Sequence, residues 1–434
     1  MAEVAGYDPK MARKAAMASV FGTLIEWYDF FLYGTAAALI FPKVFFPESD
    51  AYAGTLQSFA IFAVGFCARP IGGLIFGHFG DRMGRKMALM ITMFLMGISS
   101  FLMGCIPSYD SIGIWAPLLL VTLRVIQGIA VGGEWGGAIL LSMEWGKKSK
   151  QGFMSSLPSA GIGMGLLLSS AVVSMMMSIA GEGFYTWGWR VCFFISLLLV
   201  VIGVLLRRSI EETPSFREAQ KTQRVARAPL IEVLHKHPRS VICSALIKMP
   251  EHISTQIYMT AMINIAMTYY NLDKQYLVNS VMVASILMCF NIVLSGFISD
   301  KIGIKRMYMI GVVLTLLWAF PYVSIINTGI PLAFAVATIL AQFPHQAMAG
   351  CQGALVAQSF PVNLRYSGAS MGVQIAAVFS GGIAPLVSTY LMHTFGTIFA
   401  IGWYIVAASI VGIIGTALIP VHQESSVNEN QVSL

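Results

Sequence analysis

Charged side chains stand inside stretches of this chain that otherwise suit only a hydrocarbon core. Glu26, Asp29 and Tyr33 lie three and four residues apart within 18–40, so a helix puts them on one face. At 1.5 Å per residue Asp29 lies roughly 16 Å into that stretch, near the middle of a bilayer. A carboxyl group held there can take up and release a proton, which makes Asp29 the first candidate proton carrier and Glu26 the second. A structural ion pair anchoring the segment is the alternative.

Three further sets extend this chemistry. Arg124 lies deep in 115–143 with Gln127 on the same face, while Glu134 stands ten residues on and reads as a structural or gating group. Arg69, in 54–79, can meet a substrate carboxylate or neutralise Glu26 or Asp29, since both use the same bidentate geometry. Lys248, Glu251, His252 and Thr255 recur at i, i+3, i+4 and i+7 around Pro250. A proline there frees backbone groups and marks a bent helix lining a cavity. Lys248 can meet a carboxylate with Glu251 accepting a hydroxyl, or the two can pair internally. His345, Gln346 and Gln352, after Pro344, give 330–358 a polar face. With Tyr33 and Gln127 these residues form the candidate substrate-binding set. Their types suit proton movement and the binding of a small polar acid. The chain carries no Walker loop, dinucleotide fingerprint or nucleophile elbow, so neither ATP drive nor enzymatic hydrolysis is expected.

The elements that must hold these residues are membrane helices. Of 434 residues 57% are hydrophobic and 11% charged, with a mean hydropathy of +0.74, well below the roughly 25% charged residues of soluble domains. Apolar stretches long enough to cross a bilayer fall at 18–40, 54–79, 87–106, 115–143, 152–179 and 189–208. Six more follow at 240–270, 276–298, 306–326, 330–358, 366–391 and 395–419, with the seventh and tenth the most interrupted by polar residues. The expected fold is an all-α polytopic membrane protein with twelve spans. Residues 1–208 and 240–419 would each form a six-helix bundle, joined by a central loop 209–239 and followed by a tail 420–434 without heptads. The basic residues before 18–40 superficially resemble a signal peptide, but the run is too long and holds two acids, so it reads as an uncleaved first span. Six cysteines lie in apolar stretches without metal or disulfide spacing, so no metal or other cofactor is implied, and the intramembrane acids leave the proton as the expected coupling ion.

The formal charge of +7 follows topology. Lys10, Arg13, Lys14, Arg82, Arg85, Lys86, Lys147, Lys148, Lys150, Lys301, Lys305, Arg306, Arg365 and the basic loop 207–239 fall on one side. The other side holds only Lys43, Arg190 and Lys274. Both termini are therefore expected on the cytoplasmic side of the membrane, with the lipid bilayer and not nucleic acid as partner. The protein is expected to work as a monomer.

The halves repeat. Gly77 to Lys86, with Asp81, Arg82, Gly84 and Arg85, matches Gly296 to Lys305, with Asp300, Lys301 and Gly303, each just after the second span of its half. These loops resemble the signature loop of the major facilitator superfamily. The resemblance implies a gate at Gly77, Asp81, Arg82, Gly84, Arg85, Asp300 and Lys301, with Glu134 and Glu144 assigned to it, in which Asp81 and Asp300 cap helix ends. Glu26-Trp27-Tyr28-Asp29-Phe30, Arg69-Pro70-Ile71-Gly72-Gly73, Gly133-Glu134-Trp135-Gly136-Gly137, Trp187 to Arg190 and Glu212-Thr213-Pro214 resemble the metabolite–proton symporter branch. Lys248 with Glu251, His345 with Gln352, and Arg365-Tyr366-Ser367-Gly368 give the strongest likeness to bacterial shikimate transporters. That branch often carries Glu at Gln358 and Arg at Gln151, so the neutral residues here predict a weaker latch. In related carriers a first-span acid pairs with a fourth-span arginine, which implies Asp29–Arg124 as the coupling pair. The expected function is proton-coupled symport of a small polar organic acid, a shikimate-like monocarboxylate first. A di- or tricarboxylate or a betaine or proline symporter is the alternative, and a non-transporting metabolite sensor the alternative of another class.

Overall fold

A computed structural model describes residues 9–83, 85–145, 150–208, 229–361 and 364–420. Among these the chain is built of helices that cross the membrane twelve times. The first six passes are Pro9–Leu39, Ala51–Met83, Arg85–Cys105, Trp115–Val131 continued by Trp135–Trp145, Gln151–Ala180 and Gly188–Arg208. Span 7 is Pro238–Gln256, a π-helical turn Ile257–Ala261, then Met262–Tyr270. Lys274–Ile302, Ile304–Ile326, Pro331–Leu340 with Gln342–Ala357, Arg365–Phe379 with Ile383–Phe395, and Phe399–Leu418 complete the set. Spans 1 and 2 run well past the apolar cores expected from sequence, because the helices continue beyond the hydrocarbon into polar residues. A short helix Pro229–Lys236 precedes span 7.

Nine helices among the described residues are long and apolar enough to span by composition. Spans 1, 3 and 7 are not among them: spans 1 and 7 carry buried charges, and the apolar part of span 3, Met90–Cys105, is shorter. Where spans 4 and 11 break, Gly132–Gly133 and Gly381–Gly382 lie in the turns. π-helical turns such as that of span 7 recur at functional sites, because they displace the side-chain register.

Close backbone approach sets the position of the charged side chains. A Cβ on Gly128 would stand 2.0 Å from the carbonyl oxygen of Gly65, and one on Gly132 2.0 Å from that of Arg69. Spans 2 and 4 therefore touch through their backbones, as small residues at four-residue spacing permit. Span 1 lies as tightly on span 5, where Gly161 and Gly165 face the carbonyls of Val20 and Leu24 at 2.5 and 2.7 Å. Aromatic rings fill the remaining space, with Trp27, Phe30, Phe31, Phe62 and Phe66 in edge or tilted contact.

Spans 5 and 8 pack along each other, and spans 2 and 11 do the same. Ser174, Gln275 and Asn279 are hydrogen-bonded between spans 5 and 8 near one end. There too the His393 ring stacks on Tyr52 with centroids 3.8 Å apart. At the opposite end Gln358 donates to Gln151 at 2.7 Å. Contacts between the two halves thus occur at both ends, and the polar residues between them are buried.

Gly128→Ala should lower thermal stability in detergent by about 1–3 kcal/mol, since its Cβ meets backbone that cannot turn aside. Gly54→Ala, whose Cβ would meet Pro42 at an ordinary 3.4 Å, should leave the melting temperature unchanged or raised. Equal melting of the two variants would contradict the tight seam.

Candidate functional site

Spans 1, 2 and 4 enclose a pocket with room for about one water molecule, lined by Glu26, Phe30, Arg69, Arg124 and Gln127 among others. Both guanidinium groups are buried. Arg124 lies 4.1 Å from the Tyr33 ring centre and 4.9 Å from that of Phe62, while Arg69 lies 4.2 Å from Phe66. Ring faces of this kind hold a desolvated cation by about 0.5–2 kcal/mol each. Gly65 makes the space for Arg124, because a Cβ there would come 2.6 Å from Nε. Glu26 is near enough to Arg69 to act on its charge. The Arg124 Nη1 donates to the Gln127 side-chain oxygen, and its Nε has no hydrogen-bond acceptor. Arg124, with its Nε edge still open, can receive a carboxylate oxygen beside Arg69.

Asp29 departs from the sequence expectation. It accepts a hydrogen bond from Ser196 of span 6, and its Oδ2 has no partner. Arg124 stands within electrostatic reach of Asp29 but makes no ion pair with it. The direct Asp29–Arg124 pair is therefore absent from this conformation. Gln127 and the ring faces take the guanidinium, and a serine hydroxyl takes the acid. Tyr33 is fully buried, and its hydroxyl has no partner. Glu134 is buried beside the break in span 4.

A second polar layer comes from spans 7 and 10. Lys248 Nζ is 2.5 Å from a Glu251 carboxylate oxygen and donates to the Gln352 side-chain oxygen at 2.7 Å. The internal pair, left open by the sequence, is the arrangement found here. Gln352 also donates to the Ile247 carbonyl, which the Tyr308 hydroxyl reaches from span 9. His252 lies 3.9 Å from Glu251 and 3.3 Å from the Ser380 hydroxyl. His345 meets Thr255 at 2.8 Å, the Glu251 carbonyl at 3.1 Å and the Gln346 amide at 2.7 Å. The Gln346 amide nitrogen can only donate, so Nδ1 accepts and Nε2 carries the proton.

Residues missed from sequence complete both layers. Tyr258 and Tyr322 pack with ring centres 4.5 Å apart, and both hydroxyls are buried without partners. Tyr258 continues the Lys248–Glu251–Thr255 stripe by helical spacing, so periodicity could have found it. Ser100, Ser196 and Ser380 carried no such signal, being serines in otherwise apolar helices.

At the end where Gln358 meets Gln151, Asp300 accepts from the backbone N–H groups of Gly152 and Phe153 at 2.8 and 3.0 Å. It thus caps the N-terminus of span 5 from span 8, where a carboxylate also complements the helix dipole. Lys301, expected in the gate, instead lies 4.5 Å over the ring of Phe297 on its own helix. Gly84 and the side chains at Gly77, Asp81, Arg82, Arg85 and Glu144 lie outside the described residues.

The family model "Major Facilitator Superfamily" matches residues 19–384. The Shikimate transporter of Escherichia coli (strain K12) is 40% identical over 400 residues, covering 91% of this chain and 90% of the relative. The inner membrane metabolite transport protein YhjE of the same strain is 35% identical over 96% of each chain. A Proline/betaine transporter, also from that strain, is 33% identical over 94% of this chain and 83% of its own. Among solved structures, a D-xylose-proton symporter superposes with a TM-score of 0.71 at 18% identity, covering 94% of this chain and 97% of the other.

Lys248→Met should destabilise the protein by about 3–5 kcal/mol, because Glu251 is left buried and unpaired. The double variant Lys248→Met/Glu251→Gln should recover most of that loss in a detergent melt, and failure to recover would show that Lys248 does not act mainly through Glu251. Asp300→Ala should weaken closure at its end by about 1 kcal/mol, as loss of an N-cap does. Faster alkylation of a cysteine placed at position 155, in otherwise cysteine-free protein, would report it; an unchanged rate would deny the cap a gating role.

Proposed function

This chain belongs to the major facilitator superfamily, and from that membership we propose that it is a proton-coupled symporter importing a small hydroxylated monocarboxylate, with shikimate the first substrate. The observation that carries the reading is the asymmetry of the two polar layers. Arg69 and Arg124 share one buried pocket, whereas Lys248 is already neutralised by Glu251. A carrier of di- or tricarboxylates should offer two separated, uncompensated cationic contacts, so one guanidinium pocket favours a single carboxylate. The opposing layer of His345, Gln352, His252 and Tyr258 offers donors and acceptors suited to hydroxyl groups. The shikimate transporter relative supports this choice.

The betaine or proline reading rests on the proline/betaine relative. A quaternary ammonium group needs free aromatic faces. In the first layer those of Tyr33, Phe62 and Phe66 are occupied by guanidinium groups, which supports the organic acid. The reading as a sensor has no comparable support, since the matched relatives are transporters.

In the cycle, a proton reaches Asp29 from outside, the substrate carboxylate meets Arg69 and Arg124, and its hydroxyl groups meet spans 7 and 10. The helices then reopen inward by rocking about the buried site. The proposal places the protein as a monomer in a bacterial inner membrane with both termini cytoplasmic, needing no cofactor beyond the proton and no nucleic acid.

Proteoliposomes given an inward proton gradient should accumulate labelled shikimate, and a protonophore should collapse the accumulation. Asp29→Asn should abolish gradient-driven accumulation while keeping part of the exchange between internal and external substrate. Absence of shikimate uptake would remove that substrate and direct the same assay to dicarboxylates and betaines. Normal accumulation by Asp29→Asn would remove Asp29 as the proton site.

A further inference from the structure

Asp29 and Arg124 do not touch, yet the residues between them form a nearly continuous line of hydrogen-bonding groups. Arg124 Nη1 donates to Gln127 Oε1, and Gln127 Nε2 donates to the hydroxyl oxygen of Ser100 at 2.7 Å. With its oxygen accepting from Gln127, Ser100 has its own proton left to give. Ser100 on span 3 stands beside Asp29, whose Oδ2 is the buried acceptor without a partner. Every group in this line is buried among helices of the first half. The other neighbours of Asp29 leave it no competing ion pair: span 6 offers the neutral Ser196, and Tyr28 on its own span gives its hydroxyl to the Cys192 carbonyl. Arg124 is the charged group that faces Asp29 from span 4.

We propose that Ser100 and Gln127 carry the protonation state of Asp29 to Arg124, with the Gln127 amide as the reversible element. The inference rests on the symport reading above. With Asp29 ionised, all donors point towards it: Arg124 to Gln127, Gln127 to Ser100, Ser100 to Asp29. The Gln127 carbonyl then occupies the Nη1 donor of Arg124 and fixes where the guanidinium stands. With Asp29 protonated at Oδ2, that O–H becomes a donor to the Ser100 oxygen. In the relay Ser100 then turns its own proton to Gln127, and the amide turns over to present Oε1 to Ser100 and its NH2 to Arg124. Two donors now face each other, so Gln127 no longer holds Arg124, and the guanidinium is free for a carboxylate. A donor facing a buried donor has no partner, which in a low-dielectric site is costly enough to move a side chain. The sign is that required for symport: protonation strengthens substrate binding. A direct ion pair would give the same sign, but without any requirement for Ser100. Both residues are positioning groups with respect to the proton, since neither carries it away.

The test uses Ser100→Ala and Ser100→Thr in full-length protein with labelled shikimate. Substrate exchange at equal pH should stay within about threefold of the parent in both variants. Gradient-driven accumulation should fall roughly tenfold in Ser100→Ala, in the range typical of coupling between two sites, and return in Ser100→Thr, which keeps the hydroxyl. In parallel, shikimate affinity measured on purified protein should rise with falling pH in the parent and in Ser100→Thr but become flat in Ser100→Ala. Parent-like accumulation and pH dependence in Ser100→Ala would overturn the relay and leave the symport reading intact. Loss of exchange in both variants would overturn it in favour of a packing role for Ser100. A parent protein that takes up shikimate without responding to the proton gradient would remove the symport reading itself, and the relay with it.

Discussion

A charge in hydrocarbon must find its partner within the protein, and that constraint organises the structure. Arg69 and Arg124 meet it with aromatic faces and nearby acids; Lys248 meets it with Glu251 and Gln352. Each solution needs close helices. The backbone contact between spans 2 and 4 brings Arg69 and Arg124 to a common pocket, and it exists because Gly128 and Gly132 have no side chain to separate the helices. The spans that carry these buried charges are accordingly among the less hydrophobic ones, and they rely on surrounding helices to remain in the membrane.

The two polar layers solve the problem differently, and the difference bears on binding. A cation stacked on a ring keeps its in-plane N–H edges available. A cation paired with an adjacent carboxylate within one helix does not. The first layer thus leaves the Arg124 Nε edge without an acceptor, while the second, knit by His345, Thr255, Gln346 and Gln352, presents a hydrogen-bonding face.

Among the described residues, closure at one end of the helices includes neutral contacts and a carboxylate on backbone donors. The Gln151–Gln358 bond joins spans 5 and 10 without charge, and Asp300 acts on backbone donors at a helix start. Where the sequence predicts a weakened latch because both residues are neutral, the structure retains the link in neutral form. An amide pair gives up the strength of a charge-assisted bond, but it also avoids stranding a charge when the ends part.

Much of this was legible in the sequence because membrane helices obey simple rules. Hydropathy located the spans, helical spacing grouped Glu26 with Asp29 and Tyr33, and Lys248 with Glu251, His252 and Thr255, and the repeated glycine–aspartate loops marked two halves. Spacing along one helix cannot reveal what a side chain meets on another. The sequence therefore could not show that Asp29 turns to Ser196 on span 6, that Gln127 reaches Ser100 on span 3, or that Tyr258 stacks with Tyr322. It determined which charges lie in the membrane, since composition and period are local properties. Only the tertiary structure decided which of them are neutralised and which are left open to a ligand, because that depends on distances between helices far apart in the chain.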